Sequence, residues 1–159
     1  MEVIGDKGAM RSWSRARRAG GESIAFVPTM GFLHEGHLSL VQEARDRADR
    51  VCVSIYVNPT QFAPSEDFED YPRDQERDLE ALRELGVDTV FCPPTLYDGP
   101  RDQPETWVVP GPLAEPLCGA SRPGFFRGVA TVVTKLFTIV EPDIAVFGEK
   151  DLQQLLDSW

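Results

Sequence analysis

The only two histidines of this 159-residue chain, His34 and His37, lie three residues apart in Thr29-Met30-Gly31-Phe32-Leu33-His34-Glu35-Gly36-His37. They follow the apolar run Ile24-Ala25-Phe26-Val27 and precede a helical pattern that begins at Leu38. Strand, glycine-containing loop and helix start form an order that suits phosphate binding. The first N–H groups of a helix point outward unpaired, and the peptide dipoles add partial positive charge there. Two imidazoles at that point can donate hydrogen bonds to phosphate oxygens, and Gly36 keeps the backbone close. Two surface histidines at a helix start are the plainer reading of such a pair. The strand before, the helix after and the lack of any other histidine favour the phosphate site. Glu35 is read as a partner of the helix dipole and is given no catalytic role.

The elements that must position this loop alternate along the chain. Residues 8–18 read as a helix with Met10, Trp13 and Ala16 on one face, ended by Gly20-Gly21. Residues 24–27 form a short buried strand that Pro28 stops. Leu38, Leu40, Val41 and Ala44 have helical spacing. Residues 51–57 are a near-continuous apolar, β-branched strand of the parallel, doubly covered type. Leu79, Leu82 and Leu85 mark another amphipathic helix, closed by Gly86, and residues 87–92 a further strand. Residues 106–109 read as a short edge strand, residues 129–140 as a strongly apolar helix, and residues 143–147 as the next strand before a helix near Gln153. This alternation predicts right-handed crossovers around a parallel sheet with helices on both faces, a Rossmann-like α/β fold in one domain. Ligands of such sheets bind at the carboxyl ends of the strands.

Two further loops leave strand ends with suggestive chemistry. Asn58-Pro59-Thr60-Gln61-Phe62 brings two amides, able to bind a small polar substrate without adding charge; turn formation at Asn-Pro explains the same residues equally well. It opens a Pro- and acid-rich loop through residue 72, long enough to be functional. Gly148-Glu149-Lys150-Asp151 puts a lysine between strand and helix, where it could meet phosphate as a point charge. Asp151 could cap the helix, orient a ribose hydroxyl or hold magnesium; capping is the commonest use of such a residue. Arg122 and Arg127 could reach an anionic ligand or lie solvated at the surface.

A net charge of −10 argues against non-specific nucleic-acid or acidic-membrane binding. It also means that any nucleotide site needs locally concentrated donors. No stretch approaches a membrane span, and the start lacks signal- or transit-peptide character. Cys52, Cys92 and Cys118 are widely spaced, with no metal-type pairing. They read as free thiols of a reducing compartment, the cytoplasm.

Beyond these residue-level readings, the stretch from Phe26 to Leu40 resembles the signature of the pantothenate synthetase (pantoate–β-alanine ligase) family. So do Val57-Asn58-Pro59-Thr60-Gln61-Phe62, Asp70-Tyr71-Pro72-Arg73, Phe126-Arg127-Gly128-Val129-Ala130-Thr131-Val132-Val133-Thr134-Lys135-Leu136 and Phe147-Gly148-Glu149-Lys150-Asp151. A His-x-Gly-His alone would indicate only the wider nucleotidylyltransferase class; five blocks in order are more specific. The resemblance implies an ATP-dependent ligation in which the pantoate carboxylate attacks the α-phosphorus, and β-alanine then displaces AMP from pantoyl adenylate. It implies catalytic roles for His34, His37 and Lys150, with His37 an acid-type donor. It implies an ATP site from Met30, Gly31, Phe32, Leu33, His34, Glu35, Gly36, His37, Gly148, Glu149, Lys150 and Asp151. Gln61 and Gln154 would hold pantoate, with Asn58 and Tyr71 lining its pocket. Magnesium accompanies the nucleotide, no protein metal site is implied, and the family is expected to form homodimers.

Two departures accompany the likeness. Leu152 stands where the family usually has tyrosine. Family members also continue for roughly another domain's worth of sequence, including further strands, a Ser-Ser-Arg segment and a C-terminal lid. The expectation is a nucleotide-binding domain over residues 1–159 without its lid, of doubtful activity and aggregation-prone through an unpaired sheet edge. The alternatives are another His-x-Gly-His nucleotidylyltransferase, or a non-catalytic ATP-binding or oligomerisation module of the same fold.

Overall fold

In the computed structural model, residues 1–62, 68–98, 103–114, 120 and 122–148 are described. Five strands, β1 (Glu2–Ile4), β2 (Ile24–Thr29), β3 (Arg50–Ile55), β4 (Thr89–Phe91) and β5 (Ile144–Ala145), form one sheet in the order β1-β4-β3-β2-β5. Every pairing is parallel. Among the described residues the α-helices that connect or cover the strands are α1 (Lys7–Ala19), α2 (Glu35–Arg47), α3 (Gln75–Glu84) and α4 (Phe125–Val140).

The strands are apolar on both faces because helices lie on both. Ile24 and Phe26 of β2 pack with Met10 and Trp13 of α1 and with Phe126, Val129 and Leu136 of α4. The alternate residues Ala25 and Val27 pack with Val51, Val53, Val41 of α2 and Leu82 of α3 on the opposite side. Each fully buried Val, Leu or Phe contributes roughly 1.5–3 kcal/mol, so the sheet is held by two separate apolar layers. Three aspartates tie the amino ends of the strands: Asp49 accepts from Ser23 N, Asp88 from Val51 N and Asp143 from Ile24 N, each at 2.8 Å. These three bonds lie at the amino end of the sheet, and the loops of the opposite, carboxyl end build the cleft.

The parallel α/β architecture agrees with the sequence reading; several element details differ. β1 is absent from that reading, because Glu2-Val3-Ile4 is too short for a visible period. Pro28 does not stop β2, which runs to Thr29 with Pro28 paired opposite Ser54. By strand alternation its ring nitrogen faces the β5 side, as Phe26 does, where β5 has already ended at Ala145 and no donor is required. On α1 the buried residues are Met10, Trp13 and Ser14 rather than Ala16, and the Arg17 guanidinium covers Trp13 at 5.5 Å. Residues 106–109 are not a strand: the Val108 N–H is bound by Thr131 Oγ1 at 3.0 Å, so this segment lies along α4. α4 itself starts one turn earlier than its apolar run suggests, at Phe125.

Cys52 is buried and Cys92 half-buried, both as free thiols, and Cys118 lies outside the described residues. Burial pushes the Cys92 thiol up to about 11 and Cys52 higher still, which fits packing rather than nucleophilic chemistry. Among the described residues no helix is long and apolar enough to cross a membrane.

Candidate active site

The chain leaves β2 for β3 and β4 on one side and returns to β5 on the other, so strand order reverses beside β2. An α/β sheet opens its ligand crevice at such a reversal. Here it opens into a cleft of about 500 Å³. Its floor is Pro28, Thr29 and Tyr56 at the strand ends. One wall is the loop after β2, with Met30, Gly31, Phe32, His34 and His37, and the facing wall is apolar, from Phe125, Val132, Val133 and Leu136 of α4. Asn58, Gln61, Phe62, Tyr71 and Arg122 complete it.

The histidine loop is built by helix capping. His34 is the N-cap of α2, and its Nδ1 accepts from Gly36 N at 3.1 Å. The His34 N–H in turn donates to Nδ1 of His37 at 3.4 Å. This is the reciprocal arrangement of a capping box, with imidazoles in place of the usual hydroxyl and carboxylate, and it explains the three-residue spacing. Leu33 and Leu38, on either side of the cap, join the same apolar cluster at the spacing of a hydrophobic staple. A backbone N–H can only donate, so each Nδ1 is an acceptor and each ring carries its proton on Nε2. The two rings sit 4.1 Å apart and both line the cleft. Gly36 leaves room for the ring: a Cβ there would meet His34 Cε1 at 2.9 Å.

The loop between β2 and the cap is held from behind. Gly31 and Phe32 both have positive φ, 83° and 50°. That turns two successive N–H groups, of Phe32 and Leu33, onto Asp78 of α3, whose carboxylate oxygens accept them at 2.7 Å each. Asp78 is 2% exposed. The sequence did carry a signal for it. Residues 78, 82 and 85 follow helical i, i+4, i+7 spacing, which puts a carboxylate on the apolar stripe of α3.

On the other side of the cleft, Asn58 caps the 3-10 turn Pro59–Gln61. It is 1% exposed; its Nδ2 donates to Gly128 O at 3.2 Å and its Oδ1 accepts from Tyr97 OH at 2.7 Å and Thr60 Oγ1 at 3.0 Å. The amide therefore fixes the turn against α4. Gly128 makes this close approach possible. A Cβ there would lie 2.4 Å from Thr60 O. Gln61 stands on this turn at the cleft, and Arg122 donates to its carbonyl at 3.2 Å while stacking 4.1 Å over Phe125. Tyr71 packs edge-on to Phe62 at 5.8 Å, and desolvation raises its phenol above the ordinary value. Arg127 stacks 4.3 Å over Trp107, beside the cleft rather than in it.

Burial pushes the Tyr97 phenol up to about 12, so it stays a donor to Asn58. Tyr97→Phe leaves Asn58 Oδ1 one bond short and should cost about 1–2 kcal/mol. A denaturant titration should show the midpoint lowered with the slope unchanged; an unaltered midpoint would mean that the Tyr97–Asn58 bond carries no net stability.

Of the residues that the sequence assigns to the nucleotide, Met30, Gly31, Phe32, His34 and His37 line the cleft, Leu33 is buried behind it, and Glu35 is exposed in the first turn of α2. Gly148 follows β5, half-buried; Glu149, Lys150, Asp151 and Gln154 lie outside the described residues. Among the described residues no group of three or more His, Cys, Asp or Glu could hold a metal ion. Asp78, Tyr97 and Gly128 are the site-building residues that sequence reasoning missed.

Comparison with known proteins bears on this cleft. The sequence profile of the family described as Pantoate-beta-alanine ligase matches residues 2–156. A pantoate–β-alanine ligase of Lotus japonicus is 55% identical over 96% of this chain and 58% of its own length. A pantothenate synthetase of Desulfatibacillum aliphaticivorans is 57% identical over 98% of this chain and 55% of its own. Among solved structures, pantothenate synthetase from Thermus thermophilus superposes with TM-score 0.88 at 46% identity, covering 99% of this chain and 55% of that one. Pantoate-beta-alanine ligase from Francisella tularensis, complexed with beta-gamma ATP and beta-alanine, superposes with TM-score 0.85 at 38% identity over 98% of this chain and 59% of that one. The chain thus spans a little over half the length of these relatives.

Proposed function

The chain belongs to the pantoate-beta-alanine ligase family, and on that premise we propose that residues 1–159 are the nucleotide-binding domain of an ATP-dependent ligase that joins pantoate to β-alanine through pantoyl adenylate. The observation that carries the reading is the imidazole-capped start of α2, facing an apolar wall across the crevice where strand order reverses. The Francisella relative complexed with beta-gamma ATP and beta-alanine supports the same two substrates here.

The chemistry asks little of the protein covalently. A carboxylate oxygen of pantoate forms a bond to the α-phosphorus of ATP as the bond to the pyrophosphate oxygen breaks. The electron pair leaves with pyrophosphate. A carboxylate needs no base for this step, so catalysis is positioning plus stabilisation of charge on the leaving phosphates. His34 and His37, each with its proton on Nε2, supply N–H donors to those phosphates, and the first turn of α2 adds its dipole. The apolar wall of α4 receives the dimethyl carbon of pantoate, with Gln61 and Tyr71 beside its polar ends. In the second step the neutral β-alanine amine attacks the acyl carbon and gives up a proton to solvent, and AMP leaves carrying the oxygen that pantoate gave. Lys150 is assigned to the phosphates and Gln154 to pantoate on the family resemblance alone, with Glu149 and Asp151 part of the same nucleotide loop. Magnesium would arrive on the triphosphate; no residue is assigned as its ligand and no step is routed through it. The family reading also carries a homodimer and a cytoplasmic setting.

The reading is tested by pantoate-dependent exchange of labelled pyrophosphate into ATP, using the protein that carries this chain. Exchange that requires pantoate is the expected result. ATP binding with no exchange would instead leave a non-catalytic binding module.

A further inference from the structure

We propose that Asp78 is a positioning residue of this site: its carboxylate serves as an internal anion that fills the nest of N–H groups behind the histidine loop and so fixes where His34 and His37 stand. The inference rests on reading the cleft as the nucleotide site, and it adds a residue outside the phosphate-facing wall.

Successive N–H groups that point the same way form a concavity that attracts an anion, and positive φ at neighbouring residues produces it. Gly31 at 83° and Phe32 at 50° produce one here. Both oxygens of Asp78 occupy it, at 2.7 Å from Phe32 N and 2.7 Å from Leu33 N. Next to it on α3, Arg77 takes the other polar group of the same peptide segment, donating to Leu33 O at 3.5 Å with its guanidinium 5.5 Å over the Phe32 ring. α3 therefore holds both the donors and an acceptor of residues 32–33, directly before the N-cap His34. The fit is tight: a Cβ on Gly31 would come within 3.1 Å of Asp78 Oδ2 and 2.9 Å of Ile55 Cγ2.

α3 also follows the turn that carries the cleft residue Tyr71. Arg73 ties that turn by donating to the carbonyls of Phe68, Glu69 and Tyr71 at 2.9–3.0 Å. α3 thus follows the Tyr71 turn in the chain and, through Asp78, holds the histidine loop. Misplacing catalytic groups by about 1 Å costs on the order of 100-fold in rate, so a loosened loop should be visible in turnover.

Asp78→Asn keeps the shape but can accept only one of the two N–H groups and turns its own NH₂ on the other. In the protein carrying this chain, kcat for pyrophosphate exchange should fall about 10- to 100-fold, with KM for pantoate within about twofold of the parent. In a His37→Ala background the same substitution should cost markedly less, because the imidazole it positions is gone. Equal losses in both backgrounds, or a loss under about twofold in the parent, would overturn the proposal. Should Asp78→Asn fail to fold, Gly31→Ala strains the same loop from its other side and should give the same kinetic pattern; its absence would count against the proposal. Amide hydrogen exchange supplies a readout independent of activity. Phe32 and Leu33 should exchange at least about tenfold faster in Asp78→Asn while β3 is unchanged, and unaltered protection there overturns the hold itself. A parent protein with no exchange activity but with this protection pattern would sink the ligase reading and leave the loop clamp standing.

Discussion

His37→Ala should lower pantoate-dependent pyrophosphate exchange by roughly 100- to 1,000-fold, the range observed when one preorganised donor to a transition-state oxyanion is removed. The expected effect is large because, among the described residues, Arg122 is the one Lys or Arg lining the cleft in a chain of net charge −10, so imidazole N–H donors would carry much of the local stabilisation. The His34 position separates capping from catalysis. His34→Asn retains an acceptor near the place of Nδ1 and should keep the bond from Gly36 N, so stability should hold within about 0.5 kcal/mol while rate falls. His34→Ala loses the cap as well and should cost about 1 kcal/mol in addition to rate. Equal kinetics for parent and His34→Asn would mean that the ring serves the helix alone.

Gly128→Ala should be the most damaging single methyl group in the described chain. Its Cβ would lie 2.4 Å from Thr60 O and 2.8 Å from Thr60 C, which are backbone atoms that cannot swing aside. Gly128 O also receives the Asn58 amide, so α4 and the 3-10 turn cannot separate without breaking that bond. Overpacking of this kind costs roughly 1–3 kcal/mol, and a thermal melt should show a drop of several degrees. Because Gln61 rides on the displaced turn, KM for pantoate should rise more than KM for ATP. Gly111→Ala is the matched control, since nothing lies within 4 Å of its Cβ. A Gly128→Ala protein with parental melting temperature and pantoate KM would contradict the close-contact account.

The residues legible in the sequence are those whose local pattern and tertiary role coincide. The His34–His37 spacing is a capping spacing, so a purely local signal locates the start of α2 and the loop that faces the crevice. The long apolar run of residues 51–57 likewise announces a doubly covered parallel strand. Where local and tertiary signals part, sequence reading fails. Pro28 reads as a strand breaker, yet it sits where β2 has lost its β5 neighbour and no donor is needed. Residues 106–109 have strand-like composition, but Thr131 of α4 supplies the partner that a strand would have supplied. Asn58 reads as a substrate amide or a turn residue; three of its bonds fix the turn, and it lines the cleft as well. Asp78 and Gly128 act across 45 to 70 residues of sequence, a distance at which one sequence carries no pairing information. The site roles of Lys150 and Gln154 rest on resemblance, outside the described residues.

The most direct measurement follows oxygen through the reaction. Pantoate labelled with ¹⁸O in its carboxylate is turned over with ATP and β-alanine by the protein carrying this chain, and the products are weighed by mass spectrometry. Attack of the carboxylate at the α-phosphorus, followed by displacement by the amine, predicts one ¹⁸O in AMP and none in pyrophosphate. Label recovered in inorganic phosphate alongside ADP would mean attack at the terminal phosphorus, and would contradict the adenylate account built on this cleft.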